Sequence, residues 1–271
     1  MEENDVLRQN IIEKWYKVLE FPEEYDEEFY QALKDIEISD SVSVKTYNDE
    51  EPDGKRNLLS FLYMCEDLSR RYEEKKINDE ILVDTLKDIV IWTKTWTDIK
   101  NTLHLSTLYW LKRHLDMKLF KIGRLQFCMG QMEEDVPSEN LSKGDNVLEI
   151  HIPACGPMTQ TVCEESIKMA KEFFKNYYPN FDYKCFTCHS WLLDESLKEI
   201  LEQSSNIIKF QDMFYIVSSE KSDAILKYIF KWNTTRENLK DMDAVSGFAQ
   251  KVKNRILSGN DFYESYGILK K

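Results

Sequence analysis

The chain is short of the residues that make flexible or phosphate-wrapping backbone. It has 8 glycines and 6 prolines in 271 residues, which excludes collagen-like sequence and long linkers. No P-loop string is present, nor a Gly-x-Ser-x-Gly nucleophile elbow, nor a His-Glu-x-x-His pair. ATPase, serine-hydrolase and zincin chemistry therefore lack their residues. No run of about 18 apolar residues exists, so no membrane span is expected. The opening MEENDVLRQN has neither the basic nor the apolar region of a signal peptide, which points to a cytoplasmic protein. In that compartment Cys65, Cys128, Cys155, Cys163, Cys185 and Cys188 are expected to be reduced, with no disulfide framework.

What is present suits a soluble globular protein of about two domains, with 42% hydrophobic and 31% charged residues. The net charge of −13 is uneven: residues 1–53 hold 17 acidic and 5 basic side chains, leaving 32 and 31 for the rest. Such an acidic segment repels nucleic-acid phosphates and anionic headgroups, so neither nucleic acid nor membrane is an expected partner. It reads either as a solvated helical surface or as a docking face for a basic partner, with Glu23, Glu24, Glu27 and Glu28 at its centre.

Hydrophobic spacing divides the chain near residue 118. Leu7, Ile11, Ile12, Trp15, Val18 and Leu19 follow a helical period that Pro22 ends, and Asp26 is a candidate cap for a second helix. Residues 40–56 read as a loop, with a short strand possible at 41–45. From Asn57 the period returns through Tyr72. Asn78 opens a helix reaching Trp96, and another holds Leu105, Leu108, Tyr109, Leu111 and Leu115. Trp92, Trp96 and Trp110 have helical spacing and are read as core rather than as a ligand pocket. Beyond 118 the period changes to two. Strands are expected at 119–129, 147–152 and 183–190, with Pro153 ending the second. Thr161 and Glu164 form a capping box for a helix to about Asn176. A helix at 194–203, a hairpin over 207–219 around Gln211–Asp212, and helices at 221–231 and 244–258 complete the reading. The fold class is thus two-domain: a helical domain (1–118), then a mixed-sheet domain (119–271) of α+β or α/β type whose longest helix crosses between two strands.

The chemistry-bearing stretch is VLEIHIPACGPMTQTVCE, 147–164. A strand, a short loop and a capped helix start expose main-chain N–H groups that attract anions, although any strand-loop-helix unit has this geometry. CFTCHSWLLD (185–194) contains a literal Cys-x-x-Cys-His. Haem attachment through it needs export, and Cys185 and Cys188 are an odd number apart, so a strand points them to opposite faces. No metal ligands are assigned; a thiol-reactive or metal-sensing role for Cys185, Cys188 and His189 is the weakest reading. His151 and His189 each close a predicted strand beside a loop, and Glu149 shares the face of His151. A neutral imidazole there is a natural general base.

Four segments, GRLQF (123–127), LEIHIPACGPMT (148–159), CHSWLLD (188–194) and SNIIKFQDMF (205–214), occur in this order after FPEEYDEEFYQAL (21–33). Together they resemble a family of bacterial two-domain, acyltransferase-like proteins with a helical N-acyltransferase domain followed by a GNAT-like domain. The resemblance implies an acyl-coenzyme A, acetyl-coenzyme A being expected, lying between two splayed parallel strands, 147–152 and 183–190. It implies that the main chain of Ile150 and Ile152 binds the pantetheine arm and that Gly156, Met158, Thr159 and Gln160 approach the pyrophosphate. It also implies His151 or Glu149 as base, His189 assisting, and a small-molecule amine as acceptor. PACGPMTQ (153–160) departs from the superfamily's usual loop in lacking a second small residue and a basic residue. A non-catalytic small-molecule or partner-binding module on the same scaffold is the alternative reading. The oligomeric state is not readable from the sequence.

Overall fold

The computed structural model describes residues 3–38 and 53–270. The chain divides into two units, Met1–Lys121 and Ile122–Lys271. A helical N-terminal region precedes a mixed six-stranded sheet with helices.

Among the described residues the first region holds α1 (Glu3–Val18), α2 (Asp26–Asp35), α3 (Gly54–Glu74), α4 (Asp79–Leu86), α5 (Asp88–Lys100) and α6 (Leu108–Leu115). α3 is its core element: Leu58, Leu59, Phe61, Leu62, Cys65, Leu68 and Tyr72 are all buried, as befits a helix that is apolar over most of its circumference. α1 packs on it, with Ile12, Trp15 and Tyr16 buried and the Trp15 indole donating to Glu66 at 2.9 Å. Asp26 does not cap α2. It is that helix's first residue, and its carboxylate accepts from the Tyr16 hydroxyl at 3.0 Å. α3 begins at Gly54 rather than Asn57, because the Asp53 side chain accepts from the Lys55 and Arg56 N–H groups. The single helix expected from Asn78 is two, parted at Lys87, with Asn78 capping the first. Leu105 precedes α6, and its carbonyl accepts from the buried Asn57 amide at 3.0 Å. The three tryptophans are half-buried rather than core; Trp96 donates to Thr107 at 2.7 Å and Trp110 to Asp88 at 2.9 Å. The strand considered at 41–45 lies outside the described residues.

The sheet comprises β1 (Leu119–Ile122), β2 (Leu125–Gln131), β3 (Asn146–His151), β4 (Phe186–Ser190), β5 (Phe214–Lys221) and β6 (Tyr263–Leu269), in the order β1-β2-β3-β4-β6-β5. The helices are α7 (Gln160–Tyr177), α8 (Asn206–Gln211), α9 (Ala224–Ile229) and α10 (Gly247–Leu257). α7 is the crossover between β3 and β4, which pair in parallel; β2/β3, β4/β6 and β5/β6 are antiparallel. The run 119–129 is two strands: Gly123, at φ +65°, and Arg124 reverse the chain. Thr159, not Thr161, caps α7, its hydroxyl accepting from the Val162 N–H at 3.4 Å. The helix expected at 194–203 is a 3-10 turn at Glu195–Glu199. The expected hairpin at 207–219 is α8 followed by β5. Gln211 is the buried end of α8, and its amide donates to the carbonyls of Leu192 and Asp194 at 2.9 and 2.7 Å.

β6 is the element with no counterpart in the sequence reading. It inserts between β4 and β5, and Ser265–Ile268 are buried in succession; a strand covered on both faces shows no polar alternation. Gly267 is closely approached there: a Cβ would stand 3.0 Å from Leu193 Cδ1 and 3.3 Å from Phe214 Cβ. Beside it, Leu197, Ile208, Ile225, Leu226, Val252 and Phe262 form a core that binds α8, α9 and α10 to the sheet.

Candidate active site

The site grows from one irregularity in the sheet. β3 and β4 are in register only at Leu148↔Phe186 and Glu149↔Thr187. β3 stays paired with β2 as far as Gln126↔His151, and β4 stays paired with β6 as far as Ser190↔Ser265. Past Glu149 and Thr187 each strand thus keeps its outer neighbour while the central pair parts. The Leu148 N–H donates to the Cys185 carbonyl at 3.0 Å, so every second residue of β3 directs its main-chain polar groups toward β4. The same alternation aims groups of Ile150 and Ile152 at the opening. The Ile150 side chain is buried toward α7, and Ile152 is half-buried.

The loop 153–159 follows at the mouth of this opening. Arg124, from the turn between β1 and β2, clasps it. Its guanidinium donates to the carbonyls of Pro157 (3.0 Å), Pro153 (3.1 Å) and Gly156 (3.4 Å). A basic side chain thus lies against the loop from another strand turn. Gly156 sits exposed at φ +56°, a backbone conformation that favours glycine, with open space around its Cβ position. Met158 is half-buried. Thr159 spends its hydroxyl on the cap, and the Gln160 amide donates to Glu164 at 2.8 Å along the first turn of α7. Of the four residues expected at the pyrophosphate, Thr159 and Gln160 thus have their side chains engaged. What they leave for an anion is the main chain at the helix start.

On the sheet face away from α7, ionisable side chains flank the opening on both sides. On β3, His151 Nε2 lies 3.4 Å from a Glu149 carboxylate oxygen, both half-buried. On β4, His189 Nδ1 lies 3.1 Å from Glu133, and its ring meets the Tyr266 ring edge-on at 5.9 Å. Burial pushes the Tyr266 phenol up to about 12, so it stays protonated at neutral pH. The cross-strand partners of Glu149 and His151 are Cys128 and Gln126, each 2% exposed. Glu149 folds over Gly130 on the neighbouring strand: a Cβ at position 130 would stand 2.0 Å from its carboxylate oxygen and 2.8 Å from its Cγ. The glycine is what permits the Glu149 rotamer that meets His151.

On the helix side of the sheet lies a cavity of about 640 Å³, bordered by α7, α8 and the end of β6. Lys168, Lys171, Lys209 and Lys270 reach it, against Glu164 and Asp212. Ile167, Met213 and Leu269 also line it, so the lysines offer charge to a phosphorylated moiety beside an apolar floor.

The structure therefore brings His151, Glu149 and the Ile150 and Ile152 main chain to one lip, and His189 to the other. Arg124, Gly130, Cys128, Gln126, Glu133 and Tyr266 were not found by sequence reasoning. The turn Gly123–Arg124 between two period-2 segments was a usable signal for Arg124; nothing local marks the others, since each depends on register.

A mixed sheet whose central parallel pair parts in front of a capped crossover helix is the GNAT-like acyltransferase fold. The family model for a GNAT-like C-terminal domain matches residues 119–269, and that for an N-acyltransferase N-terminal domain matches residues 4–117. The chain belongs to the family that joins these two domains. No curated protein matches it. Among solved structures it is similar to an acyltransferase in complex with CoA and 10C-teicoplanin (TM-score 0.71, 23% identity, 79% of this chain and 66% of that one). It is also similar to an acyltransferase in complex with decanoyl-CoA and teicoplanin, and to an acyltransferase mutant in complex with octanoyl-CoA. For each of these the TM-score is 0.80 at 21% identity, over 95% of this chain and 87% of that one. The chain thus spans just under two thirds (66%) of the first of these proteins. No helix among the described residues is long and apolar enough to cross a membrane.

Proposed function

We propose that this protein transfers an acyl group from an acyl-coenzyme A to the amine of a small molecule. The parting of β3 from β4 carries the reading. Past Glu149 and Thr187 it leaves main-chain groups of the two strands without a partner strand in the sheet centre, which a chain bound between them would satisfy. The pantetheine arm lies in that opening against Ile150 and Ile152. The pyrophosphate meets the loop that Arg124 holds and the start of α7. The lysine-bordered cavity receives the remaining phosphate. The domain boundary we propose is 118/119.

The chemistry follows from the two lips. The acceptor nitrogen attacks the thioester carbon, forming C–N; the C–S bond breaks and the coenzyme A thiolate leaves with a proton. Only a neutral amine attacks, so its proton passes to His151, which Glu149 orients from 3.4 Å. His189, held by Glu133, stands on the opposite lip and assists the acceptor's approach. The expected donor is acetyl-coenzyme A on the family resemblance, whereas the similar proteins were crystallised with decanoyl- and octanoyl-CoA. A donor series from acetyl to decanoyl therefore belongs in the first assay.

Calorimetry with coenzyme A and its desulfo analogue tests the binding half. Micromolar binding is expected, weakened by Gly156→Val, which strains a left-handed residue. His151→Ala should then lower kcat by about 10²-fold, the low end for general-base catalysis. No binding at millimolar coenzyme A would overturn the reading. An unchanged rate in His151→Ala would remove that residue from the mechanism.

A further inference from the structure

Cys128, Glu149 and His151 do more than share a face. Cys128 and Glu149 are cross-strand partners, and His151 lies two residues along β3, so all three side chains rise from adjacent positions of two paired strands. The thiol sulfur, a carboxylate oxygen and a ring nitrogen all lie within 4.8 Å of one another. Four-coordinate zinc, with bonds of about 2.0–2.3 Å, holds its ligands roughly 3.2–3.8 Å apart. The 3.4 Å between His151 Nε2 and Glu149 already meets that spacing, and the sulfur stands within 4.8 Å of both ligand atoms.

Two further observations point at a ligand here. Gly130 makes the room into which the Glu149 carboxylate folds, next to Cys128. Gln126, across from His151 on the same face, is 2% exposed, and its Nε2 has no hydrogen-bond partner among the described residues. A buried amide donor beside such a cluster needs an acceptor. A water or hydroxide on the open position of a three-ligand ion is one.

We propose that Cys128, Glu149 and His151 form a binding site for a borderline-soft divalent cation, best fitted by Zn²⁺, and that its occupancy inhibits acyl transfer. The donor set is thiolate, imidazole and carboxylate, which selects against Mg²⁺ and Ca²⁺ with their all-oxygen preference. The ligands stand on sheet strands, and the half-exposed His151 and Glu149 give the ion a way in. Binding displaces the thiol proton of Cys128. It also occupies the His151 lone pair on which amine deprotonation depends. The inhibition rests on the acyl-transfer reading above; the binding does not.

The test uses the metal-stripped full chain. Calorimetric titration with Zn²⁺ is expected to show one site per chain, with Mg²⁺ giving none at equal concentration. Co²⁺ should give a thiolate charge-transfer band. Cys128→Ser should abolish that band and weaken Zn²⁺ binding by about 10²-fold. Because Cys128 is buried, Cys128→Ala serves as a second variant, with a thermal melt on both. Binding that is absent, or that is equal in the folded Cys128 variants, overturns the site. In the transfer assay, Zn²⁺ should inhibit the wild type and spare Cys128→Ser, whose zinc-free rate should match wild type. Cysteine-ligated zinc that leaves the wild-type rate untouched would overturn the inhibition. If no acyl transfer is found at all, the titrations still decide the site.

Discussion

Replacing Gly130 with alanine tests the proposed active site at a residue that touches no substrate. The new Cβ would stand 2.0 Å from the Glu149 carboxylate oxygen, 2.4 Å from Cδ and 2.8 Å from Cγ. The glutamate must leave, and being half-buried it can swing into solvent. The stability terms are small and opposed. Alanine in a strand recovers roughly 0.5–1 kcal/mol of backbone entropy relative to glycine. A partly exposed pair such as Glu149–His151 contributes about 0–1 kcal/mol. The net change is within about 1 kcal/mol, or roughly 2–4 °C in Tm for a domain of this size. Transfer suffers more, because the carboxylate that orients His151 is gone. A loss of about tenfold to 10²-fold in kcat/KM corresponds to roughly 1.4–2.7 kcal/mol of barrier. The assay is a double-mutant cycle in steady-state kinetics with a parallel melt. If Gly130→Ala acts through Glu149, adding it to Glu149→Ala should cost nothing further. Wild-type kcat/KM in Gly130→Ala, or full additivity with Glu149→Ala, would refute the reasoning.

Other consequences are equally open to measurement. Arg124→Ala should weaken coenzyme A binding about tenfold through a loosened loop, leaving kcat near wild type. Arg124→Lys should rescue it only in part, since a compact ammonium lacks the planar fork by which the guanidinium spans the carbonyls of Pro153, Gly156 and Pro157; an equal kcat defect would instead place Arg124 in the chemical step. In the helical region, burial pushes the Glu28 carboxyl up, but the Lys55 ammonium, the Thr102 hydroxyl and the Leu103 N–H outweigh it, leaving its pKa below the usual glutamate value. Stability from a lowered carboxyl pKa is present above the unfolded value and is lost as pH falls through the folded one. The Tm difference between wild type and Glu28→Gln should therefore be present at neutral pH and vanish in acid; a constant difference would refute it. The same contacts make Glu28 an internal tether, so Glu23, Glu24 and Glu27 are what remain of the acidic docking-face reading.

Much of the architecture was legible because it rests on local periodicity. Leu58 through Tyr72 bury one broad helical stripe in α3, and VLEIHI alternates along β3 with Pro153 to stop it. The family resemblance, carried by segments in a fixed order, placed the helical domain before the mixed one. The illegible parts were those decided by competition between neighbours. Asp26 was drawn from capping to the Tyr16 hydroxyl. FQDMF reads as a hairpin turn, whereas the Leu192 and Asp194 carbonyls claim Gln211 at the end of α8.

The amino-acid sequence by itself determined the two-domain order, the helical and alternating segments, and the presence of histidines and carboxylates near strand ends. Tertiary structure alone decided what those residues meet. β6 became a central strand with both faces covered, by Met132, Val136 and Leu141 against Tyr266 and Ile268 and by Leu193 against Gly267, an environment that erases polar alternation. Arg124 reached the loop through a hairpin turn, across about 30 residues of chain. Cys128, Glu149, His151 and Gln126 came together through a strand register. A shift of one residue would turn the Cys128 and Gln126 face away from the Glu149 and His151 face, and no local pattern encodes that choice.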